Sequence, residues 1–364
     1  MRSRILRVLR PGEQADAESE QQVRTDGGTS ADRPQRGAAD SDARADGGVT
    51  ATADQPSRAR RWLDSEFVKS LPFWLPATLL VGLFVYGAIG WNFVISLTDW
   101  TGLRQPTYDS FDFEMYEVFF RNVGKGGLLS GPHTQEYWAL RNTFVLLVVF
   151  TVAALVVGLL LAILVDRDIR YENTFRTIYL LPMSLSFVVT AIFWAWMYNP
   201  DTGMINETLR LVGLGSLTQQ WISDPQFKLF AVMFALVWQF SGYAMVVYLA
   251  GLRAIPTDQY EAAKVDGASL VKMYWRVIIP QLRASTTSAA VVLMVFALKA
   301  FDFLFVLFGT RPGPSADILA MMMYRESFGI TNWAYGSAIA MVLFVLALGV
   351  IAPYLYVQFK RGEL

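Results

Sequence analysis

The 364-residue chain has no cysteine, which excludes disulfides, thiolate metal sites and cysteine nucleophiles together. It has one histidine, His133, set in Gly131-Pro132-His133-Thr134, where no neighbour offers a further metal ligand. That histidine reads as a solvated loop residue. Net charge is also absent: 31 lysines and arginines balance 31 aspartates and glutamates, so nothing in the charge calls for a nucleic-acid partner. No G-x-x-x-x-G-K-[ST] phosphate loop occurs, and Gly124-Lys125-Gly126 lacks its spacing. No dyad, triad or metal cluster suggests an enzyme. Arg2, Arg4, Arg7 and Arg10 interleave with Ile5, Leu6, Val8 and Leu9, but no apolar core follows, so the start does not read as a secretory signal.

What the chain does have is apolar surface. Hydrophobic residues make up 54% of it and the mean hydropathy is positive, a membrane-protein composition diluted by a polar N-terminus. Residues 1–57 carry almost no large apolar side chains after Leu9 and are expected to be a disordered tail, because they bury too little to offset ordering entropy. Residues 58–364 are expected to form one all-α transmembrane domain.

Six spans of the roughly 20 residues needed to cross a bilayer are predicted. They fall at about Pro72–Leu97, Asn142–Val165, Thr177–Tyr198, Leu229–Leu252, Thr286–Phe308 and Ala334–Val357. Leu181-Pro182 predicts a kink in the third. Arg167, Arg170 and Arg176 follow span two, and Arg253, Lys264, Lys272, Arg276 and Arg283 follow span four. With Arg58, Arg60, Arg61, Lys360 and Arg361 they lie on one side, which the positive-inside rule makes cytoplasmic, with both termini.

Between spans four and five runs EAAKVDGASLVKMYWRVIIPQL, Glu261 to Leu282. Pro256 and Thr257 open it, Asp258 followed by Glu261 has the spacing of a helix cap, and Gly267 supplies an exit turn. Ala262 and Ala263 reduce one helix face to methyl groups. Glu261, Ala262, Ala263, Gly267 and Ile278-Ile279-Pro280 resemble the EAA signature of permease subunits of bacterial ABC importers, with Ile279 in place of the usual leucine. The resemblance covers about Pro72 to Gly362. It implies a cytoplasmic coupling helix, with Glu261, Ala262, Ala263, Asp266, Gly267 and Pro280 as ATPase-coupling residues. It also implies a second permease subunit as heterodimer partner, two ATP-binding subunits that hold ATP and magnesium, and an extracytoplasmic sugar-binding protein.

Ionisable residues inside spans cost several kcal/mol and mark function or structure. Lys299 and Asp302 lie three apart in span five, either lining a pathway or neutralising one another as a structural pair. Sugars bind against aromatic faces beside hydrogen-bonding groups, and span four offers Trp238, Gln239, Ser241 and Tyr243, with Phe296 in span five. Aligned on Glu261, the chain is similar to the larger membrane subunit of maltose-type importers. Tyr243 and Phe296 then fall on its sugar-contacting positions, while its polar contacts fall on Leu236, Ala297 and Ala300. The resemblance implies import of a carbohydrate, such as an α-glucoside, across the plasma membrane. A secondary transporter or channel, or an importer of a polyol or glycerol phosphate, remains the alternative.

Overall fold

An apolar run inside a bilayer has no water for its backbone groups, so it must satisfy them within itself as a helix. The computed structural model describes residues 66–106, 108, 111–125, 133–166 and 172–361. The expected tail over residues 1–57 and the arginines Arg58, Arg60 and Arg61 lie outside the described residues. Among the described residues no β-strand forms, and one isolated antiparallel bridge pairs Thr101 with Asn332.

Among the described residues, five helical stretches are long and apolar enough to cross a membrane. They are α1 (Ser70–Ser96), α3 (Gln135–Val165), α7 (Lys228–Arg253), the broken stretch Leu270–Phe308 and α13 (Trp333–Lys360). The short α2 (Glu114–Gly124) lies between the first two. The expected third span is a broken helix: α4 (Glu172–Leu180), a 3-10 turn over Leu181–Ser184, then α5 (Phe187–Met197). Asn173–Ser184 and Phe187–Met197 meet at 101°, far more than the expected kink, and the count reaches six if the pair is one span. Pro182 removes a backbone donor, Leu185 becomes extended, and Ser186 caps α5 by accepting the Val189 N–H.

The stretch Leu270–Phe308 comprises α9 (Leu270–Met273), α10 (Arg283–Leu298) and α11 (Phe301–Phe308), and α6 (Met204–Leu211), α8 (Thr257–Val265) and α12 (Leu319–Tyr324) are short. The second span begins earlier than expected. At 31 residues α3 is about 46 Å long against about 30 Å of hydrocarbon, so its first turns project beyond the bilayer.

The core is the contact of α3, α7 and α10. Small residues there, Ala154, Ala235, Ala244 and Ala297, let the helices approach, and Phe150, Leu236, Met245, Leu249 and Leu293 fill the space between. Close packing of this kind associates helices in lipid, where hydrophobic burial gives no preference. Gly242 meets the Tyr179 carbonyl so closely that any Cβ there would collide with it, which presses the bend against α7. By contrast, α1 packs on α13 and turns Phe73, Leu83, Phe84 and Tyr86 outward.

The connection from α11 to α13 is locked by buried polar contacts. Asn142 donates to the Pro314 and Asp317 carbonyls at 2.8 and 2.9 Å, and Thr143 Oγ1 accepts the Leu319 N–H at 2.9 Å. Arg325 Nη2 donates to Asp317 Oδ2 at 2.8 Å, with the two side chains 10% and 4% exposed. Burial raises the Asp317 carboxyl above its ordinary value against the pull of Arg325, so the pair only partly offsets its own desolvation. His133 is not the solvated loop residue expected: it is half-buried and stacked on Tyr137 at 4.0 Å. Removing one member of the buried ion pair strands the other. Asp317→Ala is therefore expected to destabilise the purified chain by about 3–5 kcal/mol, read as a lowered thermal midpoint. An unchanged midpoint would mean that Arg325 finds solvent.

Candidate functional site

A break in an otherwise apolar helix opens on a cleft of about 300 Å³. Met183, Leu185, Ser186, Phe187 and Val188 come from the bend before α5, Gln239 and Phe240 from α7, Phe296 from α10 and Asp302 from α11. Gln239 is 1% exposed and donates Nε2–H to the Leu185 carbonyl at 2.9 Å. A carbonyl only accepts, which fixes the amide's orientation and leaves Gln239 Oε1 buried without a partner. Phe296 stacks on Phe240 at 4.4 Å and 20°, and Phe187 packs on Phe240 at 5.5 Å.

The sequence-predicted residues divide. Gln239, Phe296 and Asp302 meet in this cleft. Trp238 faces elsewhere, stacked on Phe193 at 5.8 Å and edge-on to Trp194 at 5.5 Å. Tyr243 is half-buried against the core one turn further along α7, outside the cleft lining. Lys299 is exposed and also outside it. Three-residue spacing puts Lys299 near Asp302 only on a continuous helix. The chain instead breaks after Leu298, with Lys299 and Ala300 turning at ψ near 6° and 11° before α11 starts. Among the described residues no ion pair joins the two.

The segment joining α7 to α10 carries the other predicted residues. Its α8 starts at Thr257 behind Pro256, and Asp258 sits inside the first turn with no side-chain cap bond, so the expected cap is absent. Proline fixes the entry angle and starts the helix two residues too early for Asp258 to cap it. At the far end Asp266 caps the helix and Gly267 takes φ +71°. Ala268 N–H reaches the Ala263 carbonyl and Gly267 N–H the Lys264 carbonyl, each at 3.0 Å, which closes a Schellman turn.

The two alanines point apart: Ala263 is buried in the core and Ala262 is exposed with Glu261. Tyr260 packs edge-on to Tyr274 at 6.5 Å. Burial pushes its phenol up to about 12, with Asp166 and Tyr274 adding to the shift. Past α9, Tyr274–Ile278 widens to a π turn and Ile279–Leu282 tightens around Pro280, burying Ile278 and Leu282. Outward face Val265 (86% exposed), Val271 (78%) and Trp275 (72%), among Glu261, Lys264, Asp266, Lys272 and Arg276. The expectations passed over this apolar set, although three large apolar residues between charges outside a clear helical period were the available signal.

A broken-helix cleft inside an apolar bundle is the architecture of a polytopic membrane protein, and the family match makes it a permease, a transporter component. The chain belongs to the family described as binding-protein-dependent transport system inner membrane component, whose sequence model matches residues 154–362. It is 50% identical over 309 residues to the xylose/arabinose import permease protein XacH of Haloferax volcanii, covering 85% of this chain and 93% of that one. It is 30% identical over 244 residues to the trehalose/maltose transport system permease protein MalF of Thermococcus litoralis, covering 66% and 81%. A chain from the crystal structure of a bacterial ABC transporter involved in import of the acidic polysaccharide alginate superposes with TM-score 0.66. The two are 20% identical, and the match covers 83% of this chain and 99% of that one.

The turn at Gly267 depends on a backbone conformation that costs other residues about 1–2 kcal/mol. Gly267→Val is expected to speed hydrogen exchange of the Ala268 amide roughly five- to thirtyfold in the detergent-solubilised chain, and an unchanged rate would place the turn's stability elsewhere.

Proposed function

We propose that this chain is one of two permease subunits in an ABC importer that carries a carbohydrate across the plasma membrane, powered by ATP hydrolysed on separate subunits. The observation that carries the reading is the exposed stripe Val265, Val271 and Trp275 on the segment that joins α7 to α10. Large apolar side chains exposed among charges suit a protein partner, with Trp275 its natural anchor. The partner is an ATP-binding subunit, one of two, and it also holds the ATP and magnesium. Glu261 and Ala262 present the helix to it, Asp266 and Gly267 set its length, Ala263 seats it, and Pro280 restarts the chain toward α10.

Because α7 and α10 bear Gln239, Phe240 and Phe296, closure of the ATPases on this segment would move two walls of the cleft together. That is a route for alternating access. A second permease subunit completes the pathway, and an extracytoplasmic sugar-binding protein delivers cargo to the far side. The carbohydrate assignment is supported by the pentose and disaccharide importers among the relatives, and by a cleft pairing an aromatic face with the polar side chains Ser186, Gln239 and Asp302. Its volume suits a pentose, a hexose or one end of an α-glucoside.

Uptake of labelled xylose, arabinose, maltose and trehalose by cells expressing the full complex tests this reading. Wild type is expected to import at least one, and Glu261→Lys or Trp275→Ala to abolish uptake and weaken ATPase co-purification at normal membrane insertion. Uptake and co-purification at wild-type levels in both variants would remove the coupling role. Orientation has its own test, helped by the absence of native cysteine. A cysteine at the exposed Ser216 should react with an impermeant maleimide from outside, and one at the exposed Ser269 only after permeabilisation. The reverse pattern inverts the topology.

A further inference from the structure

The cleft is lined by acceptors. Asp302 is its single charged residue, exposed to the space and, among the described residues, without an ion-pair partner. It stands in the first turn of α11, where the helix's free N–H groups favour a carboxylate. Gln239 gives one of its two Nε2–H hydrogens to Leu185 and, among the described residues, leaves Oε1 unpartnered and buried beside the same space. Ser186 Oγ already accepts the Val189 N–H at 3.3 Å, leaving its own hydroxyl proton free to turn. No lysine or arginine lines the cleft, since the break after Leu298 sends Lys299 elsewhere.

Two unpaired acceptors call for a ligand that donates. Hydroxyl groups do so, whereas a carboxylate or phosphate would bring a second negative charge next to Asp302. We propose that Asp302 is the specificity-determining residue of the pathway: with Gln239 Oε1 it accepts hydrogen bonds from the hydroxyls of a neutral sugar and rejects acidic saccharides and sugar phosphates. This rests on the carbohydrate reading and narrows it. The filter belongs to the permease itself, separate from any selection made by a binding protein. It also separates the two residues that their sequence spacing joined, giving Asp302 a role in the cleft and Lys299 none.

The test uses the assembled transporter, both permeases and both ATPases in nanodiscs without binding protein, so that only the permease selects. Bound radiolabelled neutral sugar, the one of the four that wild type imports, is displaced by glucose or by glucuronate, which differ only in the oxidation of one ring substituent. Glucuronate is expected to compete at least about tenfold more weakly than glucose with wild type. Asp302→Asn should weaken neutral-sugar binding several-fold and bring the two competitors within about twofold of each other. Asp302→Glu should restore the gap, and Lys299→Gln should leave it unchanged.

Equal competition in wild type overturns the filter, and so does a gap that survives Asp302→Asn. If Asp302→Asn does not assemble, the wild-type comparison decides alone. Absence of uptake of any of the four sugars by the wild-type complex overturns the carbohydrate reading, and the filter with it; normal uptake with equal competition overturns the filter only.

Discussion

The hydrogen bond from Gln239 Nε2 to the Leu185 carbonyl, 2.9 Å long, is the contact on which the cleft depends. A helix that bends by 101° inside a bilayer leaves backbone groups without their helical partners, and hydrocarbon offers no substitute. Pro182 removes one donor and Leu185 turns extended, so a carbonyl faces away from any helix. A side chain from α7 reaches across and accepts the role of donor. Without it the bend would expose a polar group to lipid or straighten into an ordinary span, and the cleft would lose a wall. Gly242, pressed under Tyr179, lets α7 come close enough for that reach.

The same constraint explains where the second break lies. Lys299 and Ala300 interrupt the helix between α10 and α11. Non-helical backbone at membrane depth persists where it lines a cavity or is buried in protein. Ala300 is buried in the core, whereas the backbone of the bend before α5 borders the cleft, where the polar side chains Gln239, Ser186 and Asp302 collect.

Much of this was legible in the sequence, and the reasons differ by element. The all-α architecture follows from long apolar runs. The joining segment is punctuated by proline, charge and glycine, so its place between α7 and α10 and the turn at Gly267 could be read directly. Distances across the bundle could not. Proline announces a kink at Leu181-Pro182, but its 101° amplitude depends on the Tyr179–Gly242 contact and on Gln239, more than fifty residues away. The Asp258 cap failed because Pro256 set the helix start first. Trp238 was chosen by residue type and Tyr243 also by alignment with the family, and neither says which face of α7 meets the cleft; Trp238 spends its ring on Phe193 and Trp194. Lys299 lies outside this cleft and, among the described residues, makes no ion pair with Asp302, because an i, i+3 pair presumes a regular helix and the chain turns at Lys299 and Ala300.

The distribution of packing bears on how motion would travel. The contact of α3, α7 and α10 is dense and built on small residues, so those helices resist bending and shift as bodies. Ala263, Met273, Ile278 and Leu282 bury the joining segment into that same core, whereas Val265, Val271 and Trp275 stand out of it. A push on the exposed stripe thus meets a segment anchored to both cleft-bearing helices, with no soft linker between. The peripheral α1, packed on α13 with its apolar side chains turned outward, can stay with the lipid while the core moves. Rigidity is concentrated where the proposed coupling needs it, and the bend that allows movement lies at the cleft itself.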